Sequence, residues 1–266
     1  MPREITAFSN PLIKRARSLR DKKNRRSEGL FLAEGLRILT EAEESGRLPE
    51  QIFFAGDGAV HPRTEALVAK TETAGGEAIS TTRAILSKLS GKDNPQAVVG
   101  VYREWETKLD MLDRSAAPIW LVAQALRDPG NLGTMLRTGD AVGAGGLILI
   151  DDCADPFSVE AVRASMGALF TQSLAVARWD EFIAWLRGSE AMLVGTSLDT
   201  DLDYQEPDYI PPTFILTGNE SAGLPADYAA ACDLLVKMPM RGKADSLNAA
   251  VATAVMAYEV LNQLRR

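Results

Sequence analysis

The stretch IWLVAQALRDPGNLGTMLRTGDAVGAGGLILI, residues 119–150, decides the fold class of this 266-residue chain. It opens on an unbroken apolar run, closes on another, GLILI, and carries a helix-like segment, GNLGTMLRTGDAVG, between them. Continuous apolar runs belong to strands buried on both faces, and two of them joined through a helix make a βαβ unit of a largely parallel sheet. The rhythm continues downstream. SVEAVRASMGALF and EFIAWLRG read as helices, SLAVARW, MLVGTSL, TFILTG and LLVKMP as strands, and a closing helix runs from about Asp245 to Leu264. The class is therefore α/β, doubly wound or related to it.

Upstream lies a smaller α/β unit. Leu12, Ile13, Ala16 and Leu19 recur at helical spacing, with Asn10 and Pro11 suited to the N-cap and first helical position. Leu30–Leu32, QIFFAG and QAVVGVYR read as strands, and Gly35–Glu44 and EALVAKTETAG as helices. The charged segment EWETKLDMLDRSAA lacks a strand pattern and reads as a linker. The expected division is a small domain over 1–103, a linker over 104–117 and a larger domain over 118–266.

The net charge is −7, yet the first 37 residues hold ten Lys or Arg against four Asp or Glu, and the remaining 229 hold 19 against 32. A cationic segment on an otherwise acidic chain fits either a local phosphate-binding surface or a solvated helix face. No apolar stretch approaches the roughly 18 residues of a membrane span, and the first residues lack an apolar signal core, so a cytoplasmic protein is expected. Cys153 and Cys232 show no metal-ligand spacing and read as buried free thiols.

Three segments place polar residues after apolar strands, where open α/β sheets bind ligands. In the first, Asn131 stands at a helix start, as a cap or as a functional group, and Arg137 follows six residues later. In the second, FILTGNESAGLP, Thr217, Gly218, Asn219 and Glu220 follow the strand in neither a Walker nor a dinucleotide-binding pattern. In the third, Met238, Pro239 and Met240 precede a flexible RGKAD link, and Ser246, Leu247 and Asn248 start a helix so rich in alanine that its beginning is expected to be buried. Hydrolytic arrangements are missing. The single histidine, His61, sits in the first domain, and Asp151, Asp152 and Asp155 read as a solvated loop before they read as a magnesium site.

NLGTMLRT, LTGNESAGL and MPMRGKADSLNAAVA, taken in that order, resemble the three motifs of the SpoU or TrmH family of RNA ribose methyltransferases, within the SPOUT class. The N-terminal SNPLIKRARSL and FLAEGLRIL are similar to the small ribosomal-protein-like substrate-binding domain that many members carry. One departure is Ser221, where many members have glycine. The resemblance implies a deep C-terminal trefoil knot, S-adenosylmethionine as cofactor, no metal, and a homodimer with sites built at the subunit interface. It implies cofactor contacts from Thr217, Gly218, Met238, Met240 and Leu247, and catalytic or substrate contacts from Arg137, Asn131, Glu220, Ser246 and Asn248. Lys14, Arg15, Arg17, Lys22, Lys23, Arg25 and Arg26 would engage RNA phosphates, with Arg25 and Arg26 first among them.

Methyl transfer from a sulfonium needs alignment, desolvation and removal of one proton. Arginine stays protonated, so Arg137 suits stabilisation of the developing ribose alkoxide, with a phosphate or water taking the proton. The expected substrate is RNA, ribosomal ahead of transfer RNA. The alternatives are an RNA-binding protein that has lost transfer activity and a small-molecule enzyme whose basic N-terminus is merely solvated.

Overall fold

The computed structural model describes residues 2–266. The N-terminal part carries β1 (Arg3–Glu4), α1 (Pro11–Ser18), α2 (Lys22–Glu28), β2 (Leu30–Glu34), α3 (Leu36–Glu44), β3 (Gln51–Ala55), α4 (Pro62–Thr73), β4 (Glu77–Thr81), α5 (Arg83–Ser90) and β5 (Val98–Arg103). The rest carries β6 (Ile119–Gln124), α6 (Pro129–Val142), β7 (Gly146–Ile150), α7 (Val159–Ser165), α8 (Ala168–Thr171), β8 (Ser173–Ala177), α9 (Trp179–Leu186), β9 (Met192–Thr196), β10 (Thr213–Thr217), α10 (Ala226–Ala230), β11 (Leu234–Val236) and α11 (Ala249–Leu264).

Two compact units result, and the chain passes between them more than once. The N-terminal unit comprises residues up to Trp105 together with Asp155–Thr171; the C-terminal unit comprises Glu106–Ala154 and Gln172–Arg266. The excursion over 155–171, which the sequence reading gave to the larger domain, joins the N-terminal unit because its side chains are matched there. Phe157 and Phe170 pack their rings 5.0 and 6.0 Å from Phe31, and Arg163 pairs with the buried Glu34 at 2.7 Å.

In the N-terminal unit the sheet order is β1-β4-β3-β5-β2, with β5 antiparallel to both β3 and β2. The start of α1 is as its residues dictate, Asn10 accepting from the Leu12 amide and Pro11 filling a position that needs no donor. β4 and α5 carried no strong periodic signal, yet β4 lies between β1 and β3. The helix read over SVEAVRASMGALF breaks into α7 and α8, because Met166 and Gly167 take positive φ values of 54° and 107°.

In the C-terminal unit six parallel strands run in the order β11-β9-β10-β6-β7-β8. All six residues of β6 and all five of β7 and β10 are buried, as continuous apolar runs require. Trp120 stacks on Phe214 across β6 and β10, with centroids 5.7 Å apart. From β6 the chain builds outward through β7 and β8, then returns to the other side of β6 with β9 and β10. The β6/β10 boundary is thus the switch point, where ligands bind in such sheets. Since the strands are parallel, the polar segments after β6, β10 and β11 share one sheet edge.

Candidate active site

The first turn of α6 is capped by Asp128, whose carboxylate accepts from the Asn131 amide at 2.7 Å. Asn131 is therefore not the cap, and its side chain is released for other partners. Its Nδ2 donates to Glu220 at 3.1 Å, and its Oδ1 accepts from Asn248 Nδ2 at 2.9 Å. Asn248 in turn caps α11 by accepting from the amides of Ala250 and Val251. Three elements distant in sequence thus meet in one chain of hydrogen bonds, each member satisfied by the next.

Glu220 is held by a loop whose shape depends on its neighbours. Gly218 admits no side chain, since a Cβ there would lie 2.5 Å from the Gly223 carbonyl carbon and 2.6 Å from the Leu224 nitrogen. Asn219 ties the loop together. Its Oδ1 accepts from the amides of Ser221 and Ala222, and its Nδ2 donates to the Ala125 carbonyl at 2.9 Å. Ala125, just past β6, holds a left-handed φ of 48°, a conformation unfavourable to a residue with a Cβ. Ser221 needs no such backbone, so serine is accommodated where many members of the family it resembles have glycine.

Asn219 stands in the second motif with nothing to mark its role, because an Asx turn and a catalytic contact look alike in sequence. Asn219→Ala is expected to loosen residues 218–223 by about 1–2 kcal/mol, since it strands the two amides and the Ala125 carbonyl. Hydrogen exchange at Ser221 and Ala222 reads this directly, and unchanged exchange would remove Asn219 from the anchor.

Beside this cluster lies a cavity of about 330 Å³, a size suited to a small ligand. Thr217, Gly218, Met238, Met240 and Leu247 all line it, as do Glu220 and Ser246. The Thr217 hydroxyl is occupied elsewhere, 2.7 Å from that of Thr253 on α11. Thr196, the last residue of β9, and Ser197, Leu198 and Asp199 after it complete one wall. Sequence reasoning missed these, since TSLD carries no motif and acquires a role only when β9 pairs with β10.

Arg137 is exposed and does not line the cavity. It stands about 9 Å along α6 from Asn131 and about 120° around it. No ion-pair partner for it occurs among the described residues. The beginning of α11 was expected to be buried, but Ser246 and Asn248 are exposed and Leu247 is 38% exposed. Burial starts only at Ala249, because the preceding RGKAD link runs outside the core.

In the N-terminal unit, Lys14, Arg17, Lys22, Lys23 and Arg26 are exposed, as is Arg15, which pairs with Glu28. Arg25 is different: its side chain is 3% exposed and fully engaged with Asp155 and the carbonyls of Leu19 and Arg20. It cannot serve RNA phosphates, since its donors already have internal partners.

Among the described residues no group of His, Cys, Asp and Glu stands together as a metal site. Asp151 accepts from the Trp179 amide and the Tyr228 hydroxyl, Asp152 pairs with Arg127, and Asp155 with Arg25. His61 caps α4. Cys153 and Cys232 are half-buried rather than fully buried, and desolvation pushes their thiols up to about 11 and about 12. Both remain thiols at neutral pH.

Comparison with known proteins gives the family. Residues 118–258 match the model of the SpoU rRNA Methylase family, and residues 10–100 match the MRM3-like substrate binding domain. The chain is 32% identical to the 23S rRNA (uridine(2479)-2'-O)-methyltransferase of Streptomyces viridochromogenes, over 98% of this chain and 92% of that protein. It is 29% identical to the 23S rRNA (guanosine(2553)-2'-O)-methyltransferase RlmP of Bacillus subtilis, over 97% and 99%. The crystal structure of an AdoMet-bound rRNA methyltransferase from Sinorhizobium meliloti superposes with a TM-score of 0.91, at 37% identity and 98% coverage of both chains.

Proposed function

The chain belongs to the SpoU rRNA methylase family, and from that premise we infer that it catalyses transfer of a methyl group from S-adenosylmethionine to a ribose 2′-hydroxyl of ribosomal RNA. The observation that carries this reading is the hydrogen-bonded chain Glu220–Asn131–Asn248 at the border of the cavity that Gly218, Met238 and Met240 line.

The cavity suits this cofactor on chemical grounds. Two thioethers and three leucines offer apolar surface for a purine and an aliphatic chain, and the carboxylates of Asp199 and Glu220 complement a cationic ligand. The one lysine in the wall, Lys237, is paired with Asp201, so no free cation there awaits a phosphate. When bound, the cofactor supplies an electrophilic methyl on a positively charged sulfur.

The protein's own residues align the substrate and manage one proton. Asn131 and Glu220 offer a donor and an acceptor to the ribose, Ser246 and Asn248 flank them, and Arg137 stabilises the alkoxide as the hydroxyl proton leaves for a phosphate or water. Lys14, Arg17, Lys22, Lys23 and Arg26 contact RNA phosphates, positioning the substrate without reading its sequence.

Two further features belong to the same reading. The C-terminal part, whose second and third motifs form the cofactor pocket, is a deep trefoil knot. The reading includes a cytoplasmic location and a homodimer, the latter supported by two exposed residues seven apart on α11, Val251 at 46% and Tyr258 at 47%. A homodimer lets the Arg137 of one subunit complete the site of the other.

The test is incubation of the purified protein with methyl-labelled S-adenosylmethionine and total RNA, followed by digestion to nucleosides. The expected outcome is label confined to 2′-O-methylated nucleosides of ribosomal RNA. Bound cofactor with unlabelled RNA would overturn this reading, and RNA binding at low salt would then separate the RNA-binding alternative from the small-molecule enzyme.

A further inference from the structure

Cations in the N-terminal unit fall into two groups. Several are neutralised, Arg3 by Glu77, Arg63 by Glu43 and Glu44, and Arg103 by Glu50. Along α1, Arg15 with its Glu28 partner excepted, and around the end of α5 the pattern changes. Lys14, Arg17, Arg20, Lys88 and Lys92 have no ion-pair partner among the described residues, although Asp93 follows the last of them in sequence.

These five belong to one face. α1 and α5 lie side by side over a shared core that includes Ile13, Ala16, Ile85, Leu86 and Leu89. Upstream of both helices the chain is tied across, Ile5 bonding to Ser80 and Thr81 six residues before α1 and two before α5. Their C-terminal ends meet. The Arg20 guanidinium lies over Gly91, the left-handed C-cap of α5, so closely that a Cβ on Gly91 would meet it at 2.1 Å. Lys88 stands in the last turn of α5 and Lys92 directly after the cap. The eight residues of α1 give this face a length of about 12 Å, enough to follow several phosphates of one strand.

Phe8 stands at the head of the row. It occupies the tip of a turn closed by the Asn10 amide on the Ala7 carbonyl at 3.1 Å, and it is 51% exposed. An isolated exposed apolar residue is ordinary. Here, however, an aromatic ring projects from a short turn at the start of a line of free cations, the pairing that proteins use to hold unpaired nucleotides.

We propose that the α1/α5 face holds a single-stranded segment of the RNA substrate, with one unpaired base stacked on Phe8 and neighbouring phosphates along Lys14, Arg17 and the Arg20, Lys88, Lys92 group. The proposal rests on the methyltransferase reading and adds to it the kind of RNA that the N-terminal unit selects. A base inside a duplex is already stacked and cannot use Phe8, so duplex RNA engages the cations alone.

The test uses the full chain with two labelled probes, an oligouridylate of about twelve nucleotides and an RNA duplex of similar length, read by fluorescence polarisation. The single strand should bind more tightly than the duplex. Phe8→Ala should weaken single-strand binding by about fivefold or more, leave the duplex unchanged, and be rescued by Phe8→Trp. The triple variant Arg20→Ala/Lys88→Ala/Lys92→Ala should weaken both probes and flatten the salt dependence on the single strand by about two units of log–log slope. In methyl transfer, the loss in Phe8→Ala should fall on the KM for RNA rather than on kcat.

Tighter binding of the duplex, wild-type affinity in Phe8→Ala, or an unchanged salt slope in the triple variant overturns the proposal. If the wild-type protein transfers methyl groups while these variants behave as it does, this inference alone fails. If the wild type transfers none, the methyltransferase reading fails first.

Discussion

Replacing Arg137 by alanine is expected to lower kcat for methyl transfer by roughly 10²- to 10³-fold, the usual cost of removing one donor aimed at a developing oxyanion, while affinity for the cofactor holds. A guanidinium does not give up its proton near neutral pH, so its contribution is charge and geometry rather than base catalysis. The side chain is exposed and lies outside the cavity wall, which leaves it free for an anionic substrate and separate from the cofactor. Arg137→Lys should fall between the two, keeping a positive charge but losing the planar fork. Single-turnover transfer with labelled cofactor, beside calorimetric cofactor binding, separates the effects, and a kcat within a few-fold of wild type would dismiss Arg137 from the reaction.

The same variant decides which subunit the arginine serves. Gly218→Ala forces a methyl group into the Gly223 carbonyl and the Leu224 amide, a backbone collision that should spoil the cavity without touching Arg137. If arginine and cavity come from different subunits, mixing Arg137→Ala with Gly218→Ala restores transfer that neither has alone. If a mixture stays inactive under conditions of subunit exchange, each chain uses its own arginine.

How much of this site could be read in the sequence depended on how local its causes were. Glycine at 218 answers to a loop that closes on itself within five residues, and it was legible. Asp128 as the cap of α6 was not chosen, because Asp and Asn are both good caps and only the backbone decides between them. The consequence was large, since moving the cap by three residues frees the Asn131 side chain to join Glu220 and Asn248. Thr196–Asp199 stayed silent for a different reason: their place in the cavity wall follows from β9 pairing with β10, a contact across about 20 residues that no local pattern records.

The fold shows the same division. β6, β7 and β10 were evident because burial on both faces leaves no polar position to interrupt them. The excursion over 155–171 was not, because Phe157 and Phe170 read as ordinary helix-flanking apolar residues until Phe31, Tyr102 and Trp105 are seen around them. Arg25 failed in the opposite direction. Within a run of basic residues nothing local marks one as internal, yet α2 turns Arg25 inward while Lys23 and Arg26 remain outside.

Arg25→Ala should therefore behave as a core variant, lowering the stability of the N-terminal unit by about 3–5 kcal/mol, as expected when one partner of a buried pair is removed. Its guanidinium donates to Asp155 at 2.6 and 3.2 Å and to the carbonyls of Leu19 and Arg20, each at 2.9 Å. Alanine leaves all of these acceptors without their donor and removes the Arg25 cation that offsets the Asp155 charge at Glu104. Burial, and then the Asp155 charge, already hold the Glu104 carboxyl above the usual range, against the pull of Arg25 and Arg26. Loss of Arg25 raises it further. A raised carboxyl costs nothing while protonated in both states, so the deficit should be smallest in acid and grow as pH rises through the Glu104 pKa. Urea unfolding at pH 5 and pH 8 measures both the size and the sign. Arg26→Ala, which removes an exposed cation and the smallest of the pulls on Glu104, should move the unfolding midpoint little and weaken RNA binding instead. Were Arg25→Ala to keep the wild-type midpoint and lose RNA affinity, Arg25 would return to the phosphate-binding surface, and the ion pair with Asp155 would have to be one that the bound substrate replaces.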